Sequence, residues 1–558
     1  MYRLYFLLKI PFKYVIIISS NQWVVYNLKN TFLNIIRQPD DIKIQTENSP
    51  FRFEERGTVN DTCADVEFII ENNVLNIRLY PNGDKVKYIR LRWNGDISDV
   101  NTMIGDAVER SETDDVNWHA FLPHAPMPWY FYTNDGECLH GYGVKTGCNS
   151  FANWFADPYG ITLLLDVRNG KNGVDCDELL CAEVVCRKGA IGEDMYRAAQ
   201  AFCKCMCDKP NLPKEPVYGL NNWYWAYGAI EEKVVLQEAQ FLSALTKGFK
   251  NKPFMTIDDG WQIAHAKGKY NGGPWNLTNE NFASMQSTAE KIHKLDCRAG
   301  IWMRPLLTLS HVPAEACYDS TYSKNAIVMD PTHEYTKQKV TEDIKMISSW
   351  GYDMIKHDFS FFDLFGATVS DNMPPHFYDK TKTNAQIMKE FYQTIQDAAG
   401  DTIIMGCNTI NHLAAGIHQV QRSGNDTSGR HFENTRRYGV HSMMRLPQNN
   451  AFFKTDPDCA AFTEKVSKKL NFDFLEMAAI TGSATLASVT PHILNKDEEK
   501  RLQQIFAIAD TIKSQDYATI TDWTRTAVPS KFEFDGKEYN YNWYEDYCGA
   551  RNFVSWMD

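Results

Sequence analysis

From about Arg52 to Val185, hydrophobic and polar residues alternate in short runs such as Val66-Glu-Phe-Ile-Ile70, Val74-Leu-Asn-Ile-Arg-Leu-Tyr80 and Ile161-Thr-Leu-Leu-Leu-Asp166. A period of two turns one face of each run inward and the other toward water, which predicts an antiparallel β-sandwich. Pro81-Asn-Gly-Asp84 reads as a hairpin turn, because Asn and Gly accept the left-handed backbone that such turns need.

The rhythm changes after Asp208-Lys-Pro-Asn-Leu-Pro-Lys-Glu-Pro216, a polar stretch punctuated by prolines. Apolar runs at Val217–Trp225, Phe254–Asp259, Arg298–Pro305, Tyr352–Asp358, Thr402–Asn408, His418–Ser423, Ala451–Thr455 and Ala484–Val489 predict strands. Between and after them lie helical patterns at Glu231–Leu245, Met285–Leu295, Thr336–Trp350, Ala385–Ala398, Asn434–Arg445, Glu464–Ile480 and Asp497–Ala509. Strand and helix alternating in this way, without a Gly-rich phosphate turn, predict a (β/α)8 TIM barrel rather than an open doubly wound sheet. Beyond Thr511 short β-like runs return at Ala518–Ile520, Phe532–Phe534 and Tyr539–Trp543, as a small β domain or the start of a fuller one. The expected architecture is multidomain α/β plus β, with a sandwich over 1–208, a barrel over 209–511 and a C-terminal β region over 512–558.

Length and composition narrow the partners. A chain of 558 residues that is 44% hydrophobic can bury more than one core. A net charge of −12 without long basic runs argues against a nucleic-acid surface. The 13% aromatic content suits sugar rings, whose C–H faces stack on π-surfaces. Cys203, Cys205 and Cys207 lack the C-x-x-C spacing of a zinc site and read as isolated buried thiols, in keeping with a reducing compartment. Tyr5 to Ser20 is apolar but is interrupted by Lys9, Pro11 and Lys13, too short and broken for a membrane span. It leaves an export signal, an edge strand and an extension upstream of the true start all open, and with them the choice between cytoplasm and export.

The chemistry concentrates at strand ends. Tyr352-Asp-Met-Ile-Lys-His-Asp-Phe-Ser360 places Lys356 and Asp358 on one side of a strand and turns His357 toward the helices as a satisfied structural histidine. A lysine beside Asp358 would keep that carboxyl ionised and fit to act as a nucleophile. Asp426 follows Arg422 by four residues on a flexible Ser423-Gly-Asn loop and is the candidate partner carboxyl. Asp258 and Asp259 pair at a third strand end, where adjacent acceptors suit vicinal sugar hydroxyls. Trp223 or Trp225, Trp261, Trp302, Arg304, Cys407, Asn408 and Asp456 are further residues expected on the carboxyl face, where barrel enzymes build their sites.

Asp258-Asp-Gly-Trp261, Lys356-His-Asp358 and Arg422-x-x-x-Asp426, in that order, resemble the α-galactosidase (melibiase) clan of retaining glycoside hydrolases. Gln262 and the long N-terminal sandwich look like the group that also contains raffinose-synthase-like proteins. The resemblance implies Asp358 as nucleophile and Asp426 as acid/base. It further implies that Asp258 and Asp259 hold the galactose 4- and 6-hydroxyls, that Lys356 and Arg422 hold other hydroxyls, and that no metal or organic cofactor takes part. The expected substrate is an oligosaccharide or glycan with a terminal α-galactose. A homo-oligomer is compatible with such a barrel.

Three other readings share parts of this pattern. A relative acting on α-N-acetylgalactosaminides or β-L-arabinopyranosides, or a galactosyl-transferring enzyme, would use the same carboxylates. A metal-dependent hydrolase would use Asp258, Asp259, Asp456 and Asp458 as hard oxygen ligands. A sugar-binding protein would keep the pocket without turnover.

Overall fold

The computed structural model describes residues 14–19, 22–27, 30–48, 64–111, 116–263, 265, 270–318, 326–366 and 373–544. The start of the alternating region, Arg52 to Cys63, and the first half of the apolar N-terminal segment lie outside them. Tyr14–Ser19 and Gln22–Asn27 pair as a separate antiparallel ribbon.

The alternating region forms two antiparallel sheets, one of six strands and one of five. Aromatic residues fill the space between them. Trp93 and Trp154 of the smaller sheet lie 6.4 Å apart, and Phe131 of the larger sheet sits 5.8 Å from Trp154 and 4.9 Å from Tyr142. The hairpin expected at Pro81–Asp84 does not form. Asn82 and Gly83 do take left-handed backbone, but Val74–Tyr80 belongs to the six-stranded sheet and Val86–Asn94 to the other, so the turn crosses between layers. The tight hairpin lies one strand earlier, where Asn72 and Asn73, at φ 50° and 62°, join Asp65–Glu71 to Val74–Tyr80. An unforeseen helix, Met195–Met206, is capped by Asp194 and buries Tyr196, Ala199, Phe202, Cys203 and Met206 at helical spacing. Cys205 on its outer side is exposed, so only Cys203 and Cys207 of the expected thiols are buried.

Beyond the proline-rich stretch, nine parallel strands form one sheet: β1 Tyr218–Asn221, β2 Phe254–Ile257, β3 Arg298–Met303, β4 Met354–His357, β5 Ile403–Gly406, β6 Val420–Arg422, β7 Lys454–Asp456, β8 Ala460–Phe462 and β9 Thr485–Val489. The order is β7-β6-β5-β4-β3-β2-β1-β9-β8, a barrel-like parallel sheet whose two end strands are neighbours in the chain. Only Pro457, Asp458 and Cys459 separate β7 from β8, and Ala484 N donates to Thr455 O (2.8 Å), tying the entry of β9 to β7. The seventh strand expected at Ala451–Thr455 forms only over Lys454–Asp456, and β8 is an additional strand that the sequence reading did not include, set off by Asp458, whose backbone is left-handed (φ 78°).

The strands are nearly continuously buried, as parallel strands under a helical layer must be. Most are shorter than their apolar runs. The first ends at Asn221, and Trp223–Ala226 turns into a short helix. The helix expected at Asn434–Arg445 is irregular, a wide π-turn over Thr435–Val440 followed by a tight 3-10 segment over His441–Gln448. Gly439 is pressed there against Phe474 and Thr427, and Pro447 lacks the N–H that regular α-helix requires. The C-terminal region forms a three-stranded antiparallel sheet, Thr519–Ile520, Lys531–Phe534 and Lys537–Asn540. Trp523 anchors it, its ring on Trp118 and Tyr132 of the sandwich and its N–H donating to Met444 O.

Candidate active site

The carboxyl ends of β2, β4, β5, β6 and β7 bring one set of charged side chains together. Asp358 follows β4 directly. Trp302 Nε1 donates to its Oδ2 (3.0 Å) and the backbone N–H of Phe359 to its Oδ1 (2.7 Å). The second bond requires a sharp turn, and Phe359 takes a left-handed backbone (φ 65°) that side chains other than glycine seldom adopt. Such strain persists where the surroundings fix it, as the Arg304 guanidinium does from 4.3 Å over the Phe359 ring.

Lys356 shares the inner face, but its partner is not Asp358. Its Nζ donates to Asp258 Oδ2 (2.8 Å), reaching across β3 to the end of β2. Burial by itself would lower the proton affinity of the lysine, but the Asp258 charge outweighs it and holds the ammonium well above its ordinary pKa. Asp258 also accepts from Asn221 Nδ2 (2.6 Å) and from the N–H of Asp259. Asp259 Oδ1 accepts from Gln262 Nε2 (2.7 Å), with His265 Nδ1 3.2 Å away.

On the far side, Arg422 at the end of β6 is buried among acids. Its Nη2 reaches Asp426 Oδ1 (3.0 Å) and Asp458 Oδ2 (2.8 Å), and its Nε, 4.0 Å from Asp456, has no hydrogen-bond partner among the described residues. Asp458 accepts further from the Tyr224 hydroxyl and from Thr427 N and Oγ1. Burial pushes the Asp456 carboxyl up to about 6, with Arg422 opposing and Asp458 adding to the rise. Asp426 stands at the mouth with its side chain 54% exposed. The surrounding protein would raise its pKa, but Arg110, then Arg422 and Lys356, hold it below the usual carboxylate range. Cys407 at the end of β5 feels Asp358, Arg422, Lys356 and Arg110 together, and Arg422 Nη1 donates to its sulfur (3.4 Å).

Asp258, Asp259, Asp358, Lys356, Cys407, Arg422, Asp426 and Asp456 thus converge, whereas other expected residues serve behind them. Trp261 is fully buried among Trp275 and Trp350 and donates to the Trp302 carbonyl. Trp302 is likewise buried, reaching the site only through its N–H. Arg304 is paired with Asp363 and Asn271. Asn408 bonds inward, accepting from Phe362 N and donating to Glu109 (3.0 Å). Trp223 is half-buried beside Tyr227, and Trp225 donates to Glu238. The acids of the metal alternative are divided between two cations, Asp258 with Lys356 and Asp458 with Arg422, and among the described residues no group of three or more His, Cys, Asp or Glu is placed to hold an ion. His357 does face the helices, against Phe391 and His418, but neither of its ring nitrogens has a hydrogen-bond partner among the described residues.

Two residues at the site come from the sandwich. Arg110 Nη1 donates to Asp426 Oδ1 (3.0 Å), and its Nε to Glu109 Oε2 (3.1 Å). Nothing local in the sequence marks them, because the contact joins positions more than 300 residues apart.

The fold is similar to that of solved α-galactosidases, GH36 enzymes among them. The α-galactosidase TtGalA of Thermus thermophilus, solved with p-nitrophenyl α-D-galactopyranoside, matches 86% of this chain and 99% of its own at 16% identity and a TM-score of 0.57. The GH36 α-galactosidase AgaA of Geobacillus stearothermophilus matches 80% of this chain and 67% of its own at 12% identity and a TM-score of 0.56. An α-galactosidase from Lactobacillus brevis is similar over 80% of this chain and 65% of its own, at 12% identity and a TM-score of 0.55. No protein-family model matches the sequence, and no curated protein matches it at a significant level.

Proposed function

We propose that this protein is a retaining glycoside hydrolase that removes terminal α-linked galactose from oligosaccharides or glycans. In this reading the nine-stranded sheet is a (β/α)8 barrel with β8 as an additional short strand, and the chain divides into a sandwich over 1–208, the barrel over 209–511 and a C-terminal region over 512–558. The observation that carries the reading is the unequal setting of two carboxyls, Asp358 buried and fixed by two N–H donors and Asp426 half exposed on the β6 loop.

Asp358 attacks the anomeric carbon as the bond to the leaving oxygen breaks, and Asp426, in the fraction that carries a proton although Arg110 and Arg422 favour its ionised form, gives that proton to the leaving oxygen. Water then attacks the glycosyl-aspartate ester, Asp426 takes a proton from it, and Asp358 leaves as carboxylate. Two inversions give net retention. Asp258 and Asp259 offer acceptors to sugar hydroxyls, while Lys356 and the unpartnered Nε of Arg422 offer donors.

A panel of nitrophenyl glycosides of several sugars in both anomeric forms tests this, with Asp358→Asn as the blank. Turnover of the α-galactoside that disappears in the variant is expected. Turnover of a different sugar would reassign the substrate, and silence across the panel would contradict the hydrolase reading.

A further inference from the structure

A catalytic carboxyl half open to solvent needs something to hold its rotamer, and here the holding group belongs to another layer of the molecule. Arg110 is 8% exposed and shares one Asp426 oxygen with Arg422, both at 3.0 Å. The segment carrying it is fastened to the β6 loop. The buried Arg445 guanidinium binds Asp106 through Nε (2.6 Å) and Nη2 (3.1 Å), and its Nη1 donates to the carbonyls of Glu109 (2.7 Å) and Ser423 (2.9 Å). Ser111 N and Oγ donate to that same Ser423 carbonyl, and Asn425 N, next to Asp426, donates to Ser111 O. Glu109 joins Arg110 to Asn408 at the end of β5. Arg110 is therefore braced from behind and aimed at the mouth.

We propose that Arg110 is a positioning residue for Asp426, so that the β-sandwich supplies part of the catalytic centre. The inference rests on the glycosidase reading only for its kinetic consequence. Its physical consequence is electrostatic. The cations acting on Asp426 are Arg110 from the sandwich, Arg422 on β6 and Lys356 on β4, and Tyr224 after β1 feels its charge; Glu109 acts on Arg110, and Asp458 acts on Arg422. Arg110 is the foremost cation among them, and losing it lets the carboxyl keep its proton to higher pH.

The test is titration of Asp426 by infrared difference spectroscopy, with Asp426→Asn as the blank, in the full-length wild type and in Arg110→Met. An upward shift of about one pH unit is expected, the low end for losing a neighbouring opposite charge because the group is half exposed. The pH of maximal kcat/KM on an α-galactoside should rise with it. Arg110→Gln, which keeps a donor without the charge, provides the same test if the Met variant misfolds, and Arg110→Lys should restore most of the wild-type titration. An unmoved titration in a folded, charge-free variant would overturn the proposal. A wild type silent on every glycoside, whose Asp426 still shifts, would instead overturn the hydrolase reading and leave the positioning role supported.

Discussion

At the scale of single residues, the site depends on which partner each charge finds. Trp302 is expected from sequence among the residues lining the carboxyl face, but its ring is packed against Trp275 and Phe359, and only its N–H reaches Asp358. Trp302→Phe keeps that packing and removes the donor. A hydrogen bond to a charged group is worth about 1.5–3 kcal/mol, so kcat/KM should fall about 10- to 100-fold with little change in melting temperature. An unchanged kcat/KM would deny Trp302 any part in holding the nucleophile. The acids and their Lys and Arg neighbours were legible in the sequence because strand ends expose them in short motifs. Their pairing was not. Strand alternation puts Lys356 on the side of Asp358, yet the long lysine side chain spans across β3 to Asp258, a contact between strands that spacing along one strand does not reveal.

At the scale of elements, the apolar runs gave the order of strands and helices and overstated most strand lengths. A buried run continues into the loop that follows, as Val217–Trp225 does past Asn221, so hydrophobicity alone does not mark where pairing stops. The additional strand β8 had no sequence signal beyond Asp458, whose left-handed backbone an aspartate tolerates better than most residues. The helix Glu232–Leu245 carries a separate consequence. Glu238 on its buried side accepts from Trp225 Nε1 (2.8 Å), its other oxygen has no partner among the described residues, and burial pushes its carboxyl up to about 8. A carboxyl whose folded pKa is raised contributes stability that is fully present below its unfolded value near 4.5 and is lost as pH rises through about 8. Glu238→Gln should therefore raise the melting temperature, with a gain that grows between about pH 4.5 and 8 at up to about 1.4 kcal/mol per unit. Thermal melts across that range check this, and a gain independent of pH would contradict it.

At the scale of the whole molecule, three β-rich and barrel-like parts were legible as changes of rhythm, but their joint was not. Asp106, Glu109, Arg110 and Ser111 look like an ordinary polar stretch of the sandwich, and only the fold sets them against Arg445 and the β6 loop. The same joint recruits Trp523 from the C-terminal sheet, so sandwich, barrel-like sheet and C-terminal region all brace the irregular helical segment that carries Arg445. The central claim is that this frame presents Asp358 as a nucleophile, and azide rescue of Asp358→Ala on an activated α-galactoside tests it most directly. With the carboxylate gone, azide can enter from its side of the ring, and turnover restored by azide with β-galactosyl azide as product is the expected result. Near wild-type turnover without azide, or a galactosyl azide of α configuration, would contradict the claim.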